Sequence, residues 1–258
     1  NFLKVFLLPI LVSLRACFQI CRVTPLELVF VIDSSESVGP DNFNITKTFM
    51  KTIIDKISAN NATTRIGIIN FSHKVELVSS LKQYSTKEYL KSAVDKMPYL
   101  GEGTYTASAI REAIQLFQAA RPAVRKVAVV ITDGQADTRD KVRLDTIARE
   151  AHAMNIEVFV IGIVQRTDPH YDDFLKEMQL IATDPDEEHI YQIDDFMTLS
   201  GKRNYFSKKK LGIKTIKHNE CQFSEPRPSL GHSSFVRTCI SLPSQSFCAW
   251  PWFHPRQV

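Results

Sequence analysis

Residues 26–37 read Leu-Glu-Leu-Val-Phe-Val-Ile-Asp-Ser-Ser-Glu-Ser, and the fold turns on how this stretch is understood. A short, continuous apolar run with β-branched positions reads as a central strand buried on both faces. It stops abruptly at a carboxylate, and Asp33, Ser35 and Ser37 then fall at alternate positions in the loop leaving the strand's carboxyl end. Gly39-Pro40 and a helical pattern follow, so these oxygens gather beside a helix start. One carboxylate and two hydroxyls at this spacing are hard ligands suited to Mg²⁺, Mn²⁺ or Ca²⁺. Asp and Ser after a strand also serve as plain helix caps. On these residues alone both readings stand.

The 258 residues suffice for one large domain or two small ones, and 44% hydrophobic with 23% charged is the composition of a chain with a sizeable core. The net charge of +4 is unevenly spread: residues 201–258 carry a balance of +8 and residues 1–200 a balance of −4. A weakly acidic body does not fit a nucleic-acid binder. All five cysteines (Cys17, Cys21, Cys221, Cys239, Cys248) lie outside residues 26–200, so the main domain needs no internal disulfide. No pair has zinc-finger spacing. Three sequons occur, at Asn44, Asn61 and Asn70. Asn61 sits in a polar loop and is the expected acceptor, while Asn70 lies inside a strand pattern and is expected to stay bare.

Residues 2–14 are apolar but too short to span a membrane. They read either as the apolar part of a signal peptide after Lys4 or as translated non-coding sequence, with Phe18-Gln19 matching an acceptor-site ending. From residue 26 strands and helices alternate. The pattern predicts strands near 26–33, 65–71, 75–78, 126–131, 157–164 and 188–193. It predicts helices near 40–58, 86–97, 106–120, 139–154 and 168–182, with another opening at 194–199. Ser72-His73-Lys74 is too short for anything but an antiparallel connection, and His73 reads as a solvated turn residue. The Leu100-Gly101-Glu102-Gly103-Thr104-Tyr105-Thr106 loop lacks the lysine and third glycine of a phosphate cradle; Thr104 reads equally as a helix N-cap or as a ligand. From Gly201 the chain turns Lys-rich, then Ser/Pro-rich, and no period survives. The expected organisation is therefore a leader at 1–25, a domain at 26–200 and a disordered basic tail at 201–258. Gly201-Lys202 also matches a donor site, as an intron read through would give.

Alternating elements make a mainly parallel sheet covered by helices on both faces, α/β and doubly wound. If strands one to three run outward one way and four to six the other, the order is 3-2-1-4-5-6, with one antiparallel edge. Ligands bind such sheets at the carboxyl ends, where the order reverses. Asp33 and Asp133 end the two strands that meet there, and the Gly-Glu-Gly-Thr loop belongs to the connection between them. Five oxygen groups, from Asp33, Ser35, Ser37, Thr104 and Asp133, can then meet at one point.

Asp33-x-Ser35-x-Ser37, Thr104 after its glycine turn, and Thr132-Asp133-Gly134 resemble the metal-ion-dependent adhesion site of von Willebrand factor type A domains. The likeness covers about residues 26–199, and the wording of the loops is similar to the A domains of collagens. No Gly-X-Y repeat is present, so only a globular part of such a protein would be in hand. The resemblance implies a secreted, non-enzymatic matrix module holding Mg²⁺ or Mn²⁺. Its partner would be a matrix or cell-surface protein offering an Asp or Glu, or other collagen chains, and it implies no nucleic acid and no membrane span. It also implies a full last helix, and the pattern here stops at Leu199, so residues 26–200 alone are expected to be poorly stable. Two rivals remain: an A domain that mediates assembly without metal, and a metal-dependent phosphohydrolase. The second wants a nucleophilic carboxylate two residues past Asp33, where Ser35 stands, and a basic residue in the three loops, where none is expected.

Overall fold

The computed structural model describes residues 25–57, 64–81, 85–200, 239–242 and 245–248. Strand β1 (Leu26–Asp33) is buried along its whole length, because it is the centre of a six-stranded sheet of order β3-β2-β1-β4-β5-β6. Its neighbours β2 (Thr64–Phe71) and β4 (Arg125–Thr132) both run parallel to it, and β5 (Ile156–Ile163) and β6 (Ile190–Ile193) continue the sheet in parallel. Only the edge strand β3 (Val75–Ser79) is antiparallel, returning from β2 through the Ser72–Lys74 turn. The expected fold and strand order are both observed.

Alternation along the strands divides the core in two. Leu28, Phe30 and Ile32 face one side with Val127, Val129 and Ile131, and pack under α1 (Gly39–Ile57), α2 (Lys87–Lys96) and the turn α7 (Met197–Ser200). Val29, Val31, Ala128 and Val130 face the other, under α3 (Thr106–Phe117), α4 (Leu144–Ala153) and α5 (Tyr171–Ile181). One charge sits inside this apolar run. Glu27 is fully buried near the amino end of β1, where Arg65 and Arg121 bind it with N···O distances of 2.8 and 2.5 Å. Two guanidinium groups replace the water a buried carboxylate would otherwise lose.

Several element boundaries depart from the sequence reading: the helix expected over 106–120 ends at Phe117 and the one expected from 168 begins at Tyr171. The helix expected from residue 139 begins only at Leu144. Asp140 turns back to bind the backbone N–H of Ser108 at 2.8 Å and its hydroxyl at 2.6 Å, which holds the preceding residues out of the helix. The strand expected from Glu188 begins at Ile190, after a helical turn α6 (Asp186–His189). In the tail, β7 (Cys239–Leu242) and β8 (Gln245–Cys248) pair antiparallel as a separate two-stranded sheet, with Cys239 opposite Cys248. Four residues per strand are too few to show an alternation in sequence. The leader, Asn61 and the rest of the tail lie outside the described residues. No helix among the described residues is long and apolar enough to cross a membrane.

Candidate metal centre

Strand β1 delivers Asp33 and strand β4 delivers Thr132 and Asp133 to the same edge of the sheet, because the two strands are parallel neighbours in register. Thr132 Oγ1 donates to Asp33 Oδ2 at 2.6 Å, and the Ser35 backbone N–H donates to Asp33 Oδ1 at 2.8 Å. Ser37 Oγ donates to Asp133 Oδ1 at 2.8 Å. That uses the one hydroxyl proton of Ser37, so in its 3.2 Å contact with Ser35 Oγ the donor is Ser35. Asp133, Ser37 and Ser35 thus form one continuous chain of oxygens, with Asp33 behind it. Exposure rises along the set: Asp33 and Ser35 are buried, Asp133 is half-buried and Ser37 is exposed.

Thr104 is held differently. Its carbonyl accepts from the N–H groups of Thr106 and Asp137, both at 2.9 Å. Its hydroxyl makes no hydrogen bond to the other four residues among the described residues. What joins its loop to theirs is main chain: Gly101 N donates to Ser34 O at 2.8 Å, Glu36 N to Glu102 O at 3.1 Å, and Tyr105 N to Ser72 O at 2.9 Å. The N-cap alternative for Thr104 is not what the structure contains. The cap residue of α3 is Tyr105, with no side-chain cap bond; the free N–H of Ser108 goes to Asp140 instead. Nor do the hydrogen bonds of the Asp33 carboxylate reach α1.

The electrostatics are those of a site short of positive charge. Burial pushes the Asp33 carboxyl up to about 6; the Thr132 bond opposes the rise and the charge of Asp133 adds to it. Burial likewise raises Asp133, against its bond from Ser37. Among the described residues no lysine or arginine pairs with either acid. No three His, Cys, Asp or Glu side chains are grouped to hold a metal among the described residues, so a cation here would rest on two carboxylates and on hydroxyls. That donor set fits Mg²⁺ or Mn²⁺ and suits Zn²⁺ less.

Several neighbours were not singled out from sequence. Tyr99 OH donates to Ser35 O at 3.2 Å. Glu177 on α5 accepts from Ala136 N at 2.7 Å, and this steadies the loop after Asp133. His73 is a turn residue as expected, but it leans on Glu102, with Nδ1 2.9 Å from Oε2. The expectation that no basic residue sits in the three loops fails, because the late start of α4 leaves Arg139, Lys141 and Arg143 in the last of them. The Arg139 guanidinium is engaged by Asp137, at 2.6 Å from Oδ2, and that of Arg143 by Asp145, at 3.1 Å from Oδ2.

A sheet of this order, with this oxygen cluster at its crossover, defines an A-type α/β domain. The chain belongs to the von Willebrand factor type A domain family, which matches residues 27–203. Human Matrilin-3 is 34% identical over 184 residues, covering 69% of this chain and 36% of its own length. Matrilin-1 of Gallus gallus is 31% identical over 237 residues, 89% of this chain and 44% of its own. The chain thus spans less than half the length of these curated relatives. Among solved structures, proximal thread matrix protein 1 from the mussel byssus, with a zinc-occupied MIDAS motif, shares the fold at TM-score 0.57 and 22% identity, over 70% of this chain and 46% of that one. A pilus adhesin of Lactobacillus rhamnosus GG does so at 0.60 and 18%, over 74% and 31%.

Proposed function

We propose that residues 26–200, between a leader and a basic tail, form an extracellular matrix adhesion module that grips an acidic side chain of a partner protein through a divalent metal. Asp33, Ser35, Ser37, Thr104 and Asp133 hold the ion, Mg²⁺ or Mn²⁺. A bound divalent cation supplies a Lewis-acid position that a partner's Asp or Glu completes. The observation that carries this reading is the meeting of a buried and a half-buried carboxylate, Asp33 and Asp133, with the hydroxyls of Ser35 and Ser37, where among the described residues no lysine or arginine pairs with either acid and burial raises both. A protein gains nothing from such an arrangement unless something positive arrives. The named relatives and the zinc-bearing thread matrix protein point the same way. Within the family, the wording Val29-Phe-Val-Ile-Asp-Ser-Ser-Glu-Ser-Val-Gly-Pro40 is similar to a collagen A domain, that of the alpha-1 chain of type XXVIII in particular, and a collagen chain is the finer assignment we favour over a matrilin.

Isothermal titration with Mn²⁺ tests the proposal. Wild type binds one ion and Ser35→Ala loses at least tenfold in affinity, with its urea midpoint in chelator unchanged. Equal binding by both proteins, or none by wild type, leaves the metal-independent assembly module in its place.

A further inference from the structure

The three sequons are not equivalent once the chain is folded. Asn70 sits on β2 with no exposed surface, its Nδ2 donates to Pro98 O at 2.8 Å, and Phe71 and Ser72 beside it are equally buried. A sugar on that nitrogen would have no room in the folded core. Asn44 is the opposite case. It lies in the second turn of α1 on the solvent side, between the buried Phe43 and Thr46, and its side chain makes no hydrogen bond among the described residues. Its amide nitrogen is therefore free to carry a bulky group without cost to packing, and the sequon Asn44-Ile45-Thr46 is complete.

We propose that Asn44 is an N-glycosylation site of this protein and that Asn70 is left bare. The reading rests on the extracellular location proposed above, not on the metal. In the reaction, Asn44 Nδ2 attacks C1 of the first sugar of a lipid-linked oligosaccharide pyrophosphate. The C–N bond forms as the C1–O bond breaks, the lipid pyrophosphate leaves, and the amide gives up one proton. The transfer precedes folding, so the buried hydroxyl of Thr46, which donates to Asn42 O at 3.1 Å in the finished helix, is still available to the enzyme, whereas a chain that took a sugar at Asn70 could not close its core, and folded protein therefore carries Asn70 bare. Asn44 is five residues past the start of α1, about 8 Å along the axis. The glycan would thus stand beside the loop of Asp33, Ser35 and Ser37, on the α1 side.

The sequence separates the three sequons by trypsin, into peptides 23–47, 57–65 and 66–74. The full chain is expressed in mammalian cells behind a heterologous signal peptide. Material whose signal peptide has been cleaved is treated with peptide N-glycosidase, which turns a glycosylated Asn into Asp. Peptide 23–47 is expected with Asp at position 44, peptide 66–74 with Asn at position 70, and Asn44→Gln is expected to lose one glycan's worth of gel mobility shift. Unconverted Asn44 throughout that material, or conversion of Asn70 in soluble protein, overturns the proposal. Mn²⁺ titration of Asn44→Gln should match wild type, and loss of metal binding in both would count against the adhesion site while leaving the glycan result standing.

Discussion

Asp33 carries the largest electrostatic consequence of any single residue in the site. Its carboxyl is raised in the fold, from an ordinary 3.8 to about 6. The protonated form is therefore the better folded one, and the stability it gives is present below about pH 4 and lost as pH rises through about 6. The shift corresponds to about 3 kcal/mol. Carboxylates elsewhere push the other way: burial raises Glu157, but the bonds from Arg125 and His189 outweigh it and hold the group below its usual range. Asp33→Asn isolates the one residue from the rest. Relative to that variant, metal-free wild type should lose on the order of 3 kcal/mol between about pH 4 and pH 7, read from urea midpoints. Saturating Mn²⁺ at pH 7 should recover it in wild type and leave the variant unmoved. A difference that stays flat with pH would mean that Asp33 is not the strained acid described here.

Among the loops and helices, Gly103 is the position with least room. A Cβ there would run into the Asp137 carboxylate and lie 2.9 Å from Arg139 Nη2. Asp137 is also the residue whose N–H holds Thr104 O. Gly103→Ala should therefore displace the Asp137 and Arg139 side chains beside Thr104 and weaken Mn²⁺ binding severalfold, while costing about 1 kcal/mol of stability. Calorimetric titration beside a urea melt separates the two effects, and unchanged affinity would show that Thr104 does not depend on that loop. This is also where the sequence was hardest to read. The strand order followed from Leu28–Asp33 and Lys126–Asp133, two apolar runs ending in acids with a glycine loop between them. Four of the five candidate ligands followed with it, as a hydrogen-bonded group. What failed was the length of the last loop. The apolar period of Ile147, Ala148 and Ala151 carries no mark of where it starts, and the feature that stops it is a distant contact from Asp140 to Ser108. Tyr99 leaves no mark for the same reason, since a side chain that orients a ligand has no spacing signature of its own, and Thr132 is legible only as a member of the Thr132-Asp133-Gly134 motif, not as the donor to Asp33.

At the scale of the molecule, the two ends of the sheet have different tasks. Ion pairs around Glu27 close the amino end, while the carboxyl end keeps two acids without a counter-charge. The last turn matters to the first of these layers. Leu199 is 5% exposed and Phe196 7%, both packed into the face shared with α1. Leu199→Ala should lower stability by about 2–5 kcal/mol, measured by urea unfolding in chelator. A loss under 1 kcal/mol would mean that this turn is not part of the core.

The 101–105 loop of the metal centre is tied by peptide groups to both others, through Gly101 and Ser34, Glu36 and Glu102, and Asp137 and Thr104, and the hydroxyl of Thr104 does none of that holding. Shape and grip can therefore be inherited separately. A descendant that trades a hydroxyl ligand such as Ser35 for an inert residue keeps its outline and its urea midpoint in chelator, and screens based on either would pass it as healthy. Only an assay that asks for the ion would notice the loss.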